Sequence, residues 1–315
     1  MPRWDDIISL CRERRDANTS ASFQRVEAMR IEEMTFGIEF ETTVPRRLVQ
    51  DGTIRVGGYI GSGAATPGLP DGWGAKSDGS IRSGRDRVGV EFVSPILRGE
   101  DGLRQIKRVC EKFREWDVKV NDSCGLHVHI GFDRTWIGVL ERLLHLTSNY
   151  ESAIYAVTGT TSREQGRWCR SVRRHGDASS ALRAGRDRYH VLNISNLTSG
   201  RKPTVEFRAF SATTQSDKAI SYVRLCIALV QRASQMKRKT NWIAKTPNGK
   251  SPMKRKTPAM TEWTRLKYQI GWTRGSRKID PCGAVVADDL PSLDDSKKVL
   301  TRLARKYAEA ATHGE

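Results

Sequence analysis

No apolar run in the 315-residue sequence approaches the roughly 20 residues that a membrane-spanning helix needs. The opening stretch MPRWDDIISLCRERRDAN also lacks a secretory signal, because acids interrupt it and no small-residue cleavage site follows an apolar core. A cytoplasmic protein without a membrane partner is expected. Cysteine is sparse and unpaired: Cys11, Cys110, Cys124, Cys169, Cys226 and Cys282 stand singly. That spacing excludes a zinc knuckle and a disulfide framework, and leaves reduced thiols. No internal repeat of solenoid length is present. Acids are the minority charge, with 36 Asp and Glu against 54 Lys and Arg, a formal net charge of +18. Such an excess favours polyanionic partners, nucleic acid among them.

The remaining pattern is one of alternating strands and helices. Residues 3–34 read as one or two short amphipathic helices broken near DANTS. MTFGIEFETTV alternates and is rich in β-branched and aromatic residues, so a strand is expected. From Arg46 to Gly89 the chain reads as loop, and VGGYIGSGAATPGLPDGWG suggests a long loop or hairpin flap over a site. VGVEFVSPIL reads as a second strand and GLHVHIGF as a third, separated by a helix from about Gly102 to Asp117. A helix from about Thr135 to Tyr155 carries Ile137, Leu140, Leu143, Leu144 and Leu146 at core spacing. The arginine-dense SREQGRWCRSVRRHGD follows. RYHVLNISNL and PTVEFRAFSAT read as the fourth and fifth strands, and SDKAISYVRLCIALVQRASQMKRK as a helix with Asp217 suitably near its start. Beyond about Thr240 a basic, proline-bearing connector leads to DDSKKVLTRLARKYAEAA, the only clearly helical piece there. Three regions result: an N-terminal helical segment (1–34), a catalytic domain (35–240) and a basic C-terminal extension with a terminal helix (241–315). Strand connections too irregular for a regular βαβ repeat predict an α+β fold, an antiparallel sheet with helices packed on one side.

Residues two apart on a strand share a face. That rule pairs Glu39 with Glu41, His127 with His129, and Glu206 with Arg208, and Glu91 adds a carboxylate to an otherwise apolar strand. Several strands thus carry charge or imidazole where a core face would carry Val or Ile. Crowded, buried carboxylates are costly unless cations neutralise them, which a divalent metal cluster would do. Mostly oxygen ligands favour magnesium, and an imidazole moves the balance towards manganese. An arginine two residues after a metal-facing glutamate points at the same site, where its fork suits phosphate or carboxylate.

In this order FGIEFE, KSDGSI, GVEFVSPIL, CGLHVHIGF, YHVLNI and TVEFRAFSAT resemble the motifs of the amidoligases, relatives of glutamine synthetase and the glutamate-cysteine ligases. The resemblance runs from about Phe36 to Ala233. It implies a strongly curved, mainly antiparallel sheet of glutamine synthetase-like type with helices on its outer face, and a concave face that binds ATP and two or three Mg2+ or Mn2+ ions. Carried over, Glu39, Glu41, Glu91, His127 and Glu206 are the metal ligands. Glu39 and Glu41 hold different ions; Glu91 joins Glu41, while His127 and Glu206 join Glu39. Arg208 contacts the transferred phosphate or a substrate carboxylate, which makes Arg208, Glu39 and Glu206 the catalytic candidates. His129, Lys76, Arg170 and Arg173, with Arg208, are candidates for nucleotide contact, the last two from charge and position alone. Asp78 of SDGS is the candidate for a second acid beside Glu91. The implied reaction is attack of a carboxylate on the γ-phosphate of ATP and capture of the acyl phosphate by an amine, joining small-molecule or peptide substrates.

Two other classes remain open at this stage. A metal-dependent hydrolase could use the histidine pair, but only His145, His175, His190 and His313 remain to complete a binuclear zinc site. A nucleic-acid-binding protein on the same fold, or a ligase acting on a nucleic-acid-borne substrate, would use the positive charge.

Overall fold

The computed structural model describes residues 34–58, 63–184, 187–199, 202–237, 239–240, 259–273 and 288–313. The expected N-terminal helices of 3–33 and the basic connector before Ala259 lie outside them. Among the described residues no helix is long and apolar enough to cross a membrane.

The architecture is α+β, built on an eight-stranded open sheet of order β2-β3-β4-β1-β6-β8-β7 with β5 paired to β1. The strands are β1 Thr35–Pro45, β2 Ala64–Ala65, β3 Gly74–Ser77, β4 Arg87–Val93, β5 Leu97–Arg98, β6 Gly125–Gly131, β7 Leu192–Asn193 and β8 Thr204–Ser211. Every strand pairing is antiparallel. Five longer helices complete the fold: α1 Gly99–Glu115, α2 Ile137–Ala156, α3 Ser216–Gln235, α4 Ala259–Gln269 and α5 Leu293–His313.

The alternation within each strand sorts side chains cleanly. On β1 the even positions Phe36, Ile38 and Phe40 are buried in the core, with Phe92 of β4 and Leu126, Val128 and Ile130 of β6. Helix α1 covers this face. Its Phe113 ring meets Phe40 at 5.3 Å and Phe92 at 4.7 Å, and its Gly102 is seated so closely on Phe36 and Leu97 that a Cβ there would stand 2.7 and 2.8 Å from them. Helix α3 packs beside it, and Tyr222 stacks on Phe210 of β8 at 4.2 Å. Burying one such side chain contributes about 1.5–3 kcal/mol, so this face holds the sheet and frees the opposite one for polar residues.

Several expectations are corrected. The presumed loop 46–89 contains β2 and β3, and β3 extends the sheet beyond β4. Trp73, just before β3, is buried against Phe40, and its Nε1 donates to Gln105 Oε1 at 3.1 Å. The fourth strand shrinks to Leu192–Asn193, because residues Ser195–Thr198 turn into a helix. A helix unforeseen in the extension, α4, buries Trp263 and Leu266. It packs on α2, and α5 packs on α3, so both helices of the extension share the core of the sheet domain.

Strand β8 carries a register shift opposite His127: Phe207 pairs with Val128 but Phe210 with Leu126, leaving Arg208 and Ala209 against one residue. This is a β-bulge. It lets Phe207 and Phe210, three apart, both reach the core while Glu206 and Arg208 stay on the polar face.

Candidate active site

The polar face is assembled laterally by strand register. Lys76 stands opposite Glu91, Glu91 opposite Glu41, Glu39 opposite His127, His129 opposite Glu206, and Glu206 opposite Asn193. Directly paired residues bring their Cβ atoms to about 4.5–5.5 Å, close enough for side chains to share atoms or ions.

His127 is central and buried. Its Nδ1 lies 3.3 Å from Glu39 Oε2 and 3.5 Å from Glu206 Oε1, and its Nε2 lies 3.5 Å from Glu41 Oε1. His129 Nε2 is 3.3 Å from the other oxygen of Glu39. Lys76 Nζ is 3.1 Å from Glu91 Oε2. Glu206 receives Arg208 Nη1 on one oxygen and Asn193 Nδ2 on the other, the latter at 2.6 Å. Arg208 Nε donates to the Trp168 carbonyl at 3.4 Å, which ties this guanidinium to the basic segment beside β8.

Four carboxylates therefore face two fixed cations, Arg208 and Lys76, with two imidazoles between. Burial raises the Glu91 carboxyl first, and the neighbouring Glu39 charge raises it further, to about 9 in spite of Lys76. Glu91 so placed holds its proton near neutral pH. Burial also opposes ionisation of Glu39, but His129 and His127 outweigh it and carry Glu39 well below the usual carboxylate range. Glu206 likewise overcomes its burial through Arg208, His129 and His127 and is lowered. The Glu39 and Glu206 charges raise His129 against the opposing effect of its burial. A cluster that retains a proton to limit its own repulsion is one that a divalent cation would relieve.

The donor atoms fit such a cation. Glu39, Glu91 and His127 offer atoms all within 4.8 Å of one another, as do Glu39, His129 and Glu206. His129 Nδ1 is buried without a hydrogen-bond partner. Carboxylate oxygens with one imidazole per group suit magnesium or manganese better than a thiolate-loving metal.

These groups differ from the pairing the resemblance implied. By distance alone, Glu39 belongs to both groups, Glu91 lies with Glu39 and His127, His129 lies with Glu39 and Glu206, and Glu41 is in neither. Glu41 instead accepts the Gly125 backbone N–H. Asp78 closes a turn, its Oδ1 accepting from the Ser80 N–H at 2.8 Å and hydroxyl at 2.7 Å. Of the arginines proposed for phosphate, Arg170 turns to Asp187, and Arg173 donates from Nε to the Ser148 carbonyl at 2.7 Å near Glu151. His190 also meets Asp187, with Nε2 3.1 Å from Oδ2.

Two residues of the site escaped the sequence reading. Asn193 orients Glu206, and Gly125 makes room for it all: a Cβ there would stand 2.8 Å from Arg163 Nη2, 3.1 Å from Glu41 Oε2 and 3.1 Å from His127 Nε2. A glycine inside a strand signals such close approach. Arg163 cannot yield cheaply, because the same Nη2 donates to the Arg208 carbonyl at 2.8 Å. Gly125→Ala is accordingly expected to cost about 1–3 kcal/mol by overpacking, measurable as a lower urea midpoint with unchanged slope.

A family model described as "putative amidoligase enzyme" matches residues 32–177 and 174–230. A search of curated proteins finds no match. The matched span contains every residue of the acid-histidine cluster and stops short of α4 and α5.

Proposed function

Because the chain belongs to the amidoligase family, we propose that it is an ATP-dependent carboxylate-amine ligase that works at a magnesium or manganese site on a glutamine synthetase-like sheet. The observation that carries this reading is the pair of donor groups sharing Glu39, set beside a buried arginine on one face of an antiparallel sheet. Glu39, Glu91 and His127 would hold one ion, and Glu39, His129 and Glu206 a second. Divalent ions there would neutralise the phosphate charge that builds up during transfer.

The chain's own groups account for the rest. Arg208 presents a preorganised fork to phosphoryl oxygens, held in place by Glu206 and the Trp168 carbonyl. Lys76 offers a second cation at the Glu91 end. A substrate carboxylate oxygen attacks the γ-phosphorus and the bond to ADP breaks. The amine nitrogen then attacks the acyl carbon, phosphate leaves with the C–O electron pair, and the amine gives up its proton. Neither step needs a side-chain nucleophile.

The test is to incubate the protein with ATP, Mg2+ or Mn2+ and pools of amino acids, polyamines and peptides, following products by mass spectrometry. The expected result is a new amide with equal amounts of ADP and phosphate, lost when chelator is added. Tightly bound zinc with ATP-independent hydrolysis would instead point to the hydrolase class, and metal binding without ADP across the panel would count against ligation.

A further inference from the structure

Residues 163–190 hold eight arginines and no lysine, and among the described ones the structure shows two kinds. Some are internal struts: Arg163 donates to the Arg208 carbonyl, Arg173 to the Ser148 carbonyl, and Arg170 pairs with Asp187. Others face outward around two aromatic rings. Trp168 is 37% exposed and meets Tyr189 edge to face at 5.0 Å. The exposed Arg167 guanidinium lies 4.5 Å over the Trp168 ring, and that of exposed Arg188 lies 5.4 Å over Tyr189.

This cation-ring-ring-cation row has a firm base. The Arg170 N–H donates to the Tyr189 carbonyl at 2.8 Å, and the Val191 N–H to the Arg170 carbonyl at 2.9 Å, which binds the two segments side by side. Asp187, the nearby acid, is taken up by Arg170 and His190. A large aromatic ring more than a third exposed stands here between two exposed guanidinium groups for which no ion pair is seen among the described residues. It suits a planar base joined to phosphates, since every base has a π-face to stack and the arginine fork matches a phosphate.

We propose that Arg167, Trp168, Arg188 and Tyr189 form a platform for single-stranded nucleic acid, with a base stacking at Trp168 and the flanking phosphates on the two arginines. Arginine in place of lysine throughout the segment favours recognition of bases and phosphates over mere solubility, and the net charge of +18 supplies attraction to a polymer beyond the needs of one nucleotide. The platform does not depend on ligase activity, although the Trp168 carbonyl places it one hydrogen bond from Arg208.

Fluorescence anisotropy of the full chain with a short labelled oligothymidylate tests this. Trp168→Ala should weaken binding about tenfold or more, while Trp168→Phe keeps most of the affinity. Arg167→Ala with Arg188→Ala should reduce the logarithmic salt slope by about 0.7 for each phosphate that is no longer neutralised. Circular dichroism and melting should match the parent in each case. Unaltered binding by Trp168→Ala, equal binding and equal loss with duplex DNA, or no oligonucleotide binding by the parent would each overturn the proposal. So would complete displacement of the oligonucleotide by ATP at its own binding concentration, because the platform would then belong to a free nucleotide.

Discussion

Glu39→Gln is expected to lower Mn2+ affinity more than about a hundredfold and to stop ADP formation. Glu39 is the one residue common to both donor groups, with one carboxylate oxygen directed at His127 and the other at His129. Losing the partner of a metal-bound histidine alone costs about 10–100-fold in affinity, and in the proposed site Glu39→Gln would remove a direct ligand from two ions at once. Calorimetric titration with Mn2+ measures the loss. Melting provides a second readout: Mn2+ should raise the melting temperature of the parent by mass action and leave that of Glu39→Gln unmoved. Glu41→Gln is the contrasting variant. Glu41 lies outside both groups and is engaged by the Gly125 N–H, so its replacement should affect Mn2+ binding far less. Comparable losses in both variants would restore the ligand pairing implied by the family motifs, in which Glu39 and Glu41 each hold an ion, and reject the one drawn from the geometry; a dispensable Glu39 would reject both.

The second large effect concerns stability. Glu151 of α2 is 2% exposed and receives the Ser171 hydroxyl at 2.5 Å and the Val172 N–H at 2.7 Å. Arg173 Nε stands 3.7 Å away. Glu151→Leu leaves a buried hydroxyl and a buried N–H short of an acceptor and takes the countercharge from the Arg173 guanidinium, which keeps the Ser148 carbonyl. Breaking a buried charged pair from one side costs about 3–5 kcal/mol, a large part of the roughly 5–15 kcal/mol of a typical domain. Urea unfolding should show the loss as a lower midpoint. A change below about 1 kcal/mol would mean that the basic segment is not anchored through this carboxylate. Because the same segment offers the Trp168 carbonyl to Arg208, ligation should weaken even below the unfolding transition.

The strands that carry the acid-histidine cluster were legible because they alternate, in β8 as far as its bulge. In β1, β6 and β8 a period of two puts Glu39, His127, Glu206 and Arg208 on one face and leaves hydrophobic residues for the other. Helices α1 and α3 were legible by their apolar spacing. What escaped depends on partners distant in sequence. The bulge at Arg208 and Ala209 arises only when β8 meets β6. Which acids and imidazoles gather into one group depends on lateral register across β4, β1, β6 and β8, which no single motif contains. Arg170 and Arg173 read as phosphate binders from charge, yet their partners, Asp187 and the Ser148 carbonyl, lie 17 and 25 positions away. Helix α4 did carry a spacing signal, Met260, Trp263, Leu266 and Ile270, but it follows a basic, proline-bearing stretch that reads as linker.

The lengths of the outermost strands have a consequence for how copies of this protein can meet. In the middle of the sheet, β1 and β4 pair over seven residues, whereas at the margins β2 and β7 are two residues each. Long, flat margins with free N–H and C=O groups invite another chain to add itself as a further strand, and short ones do not. Among the described residues, therefore, the sheet offers little template for edge-to-edge growth. Among those residues, association of copies by strand addition finds only two dipeptides at the margins, which leaves side-chain surfaces as the broader contact they offer.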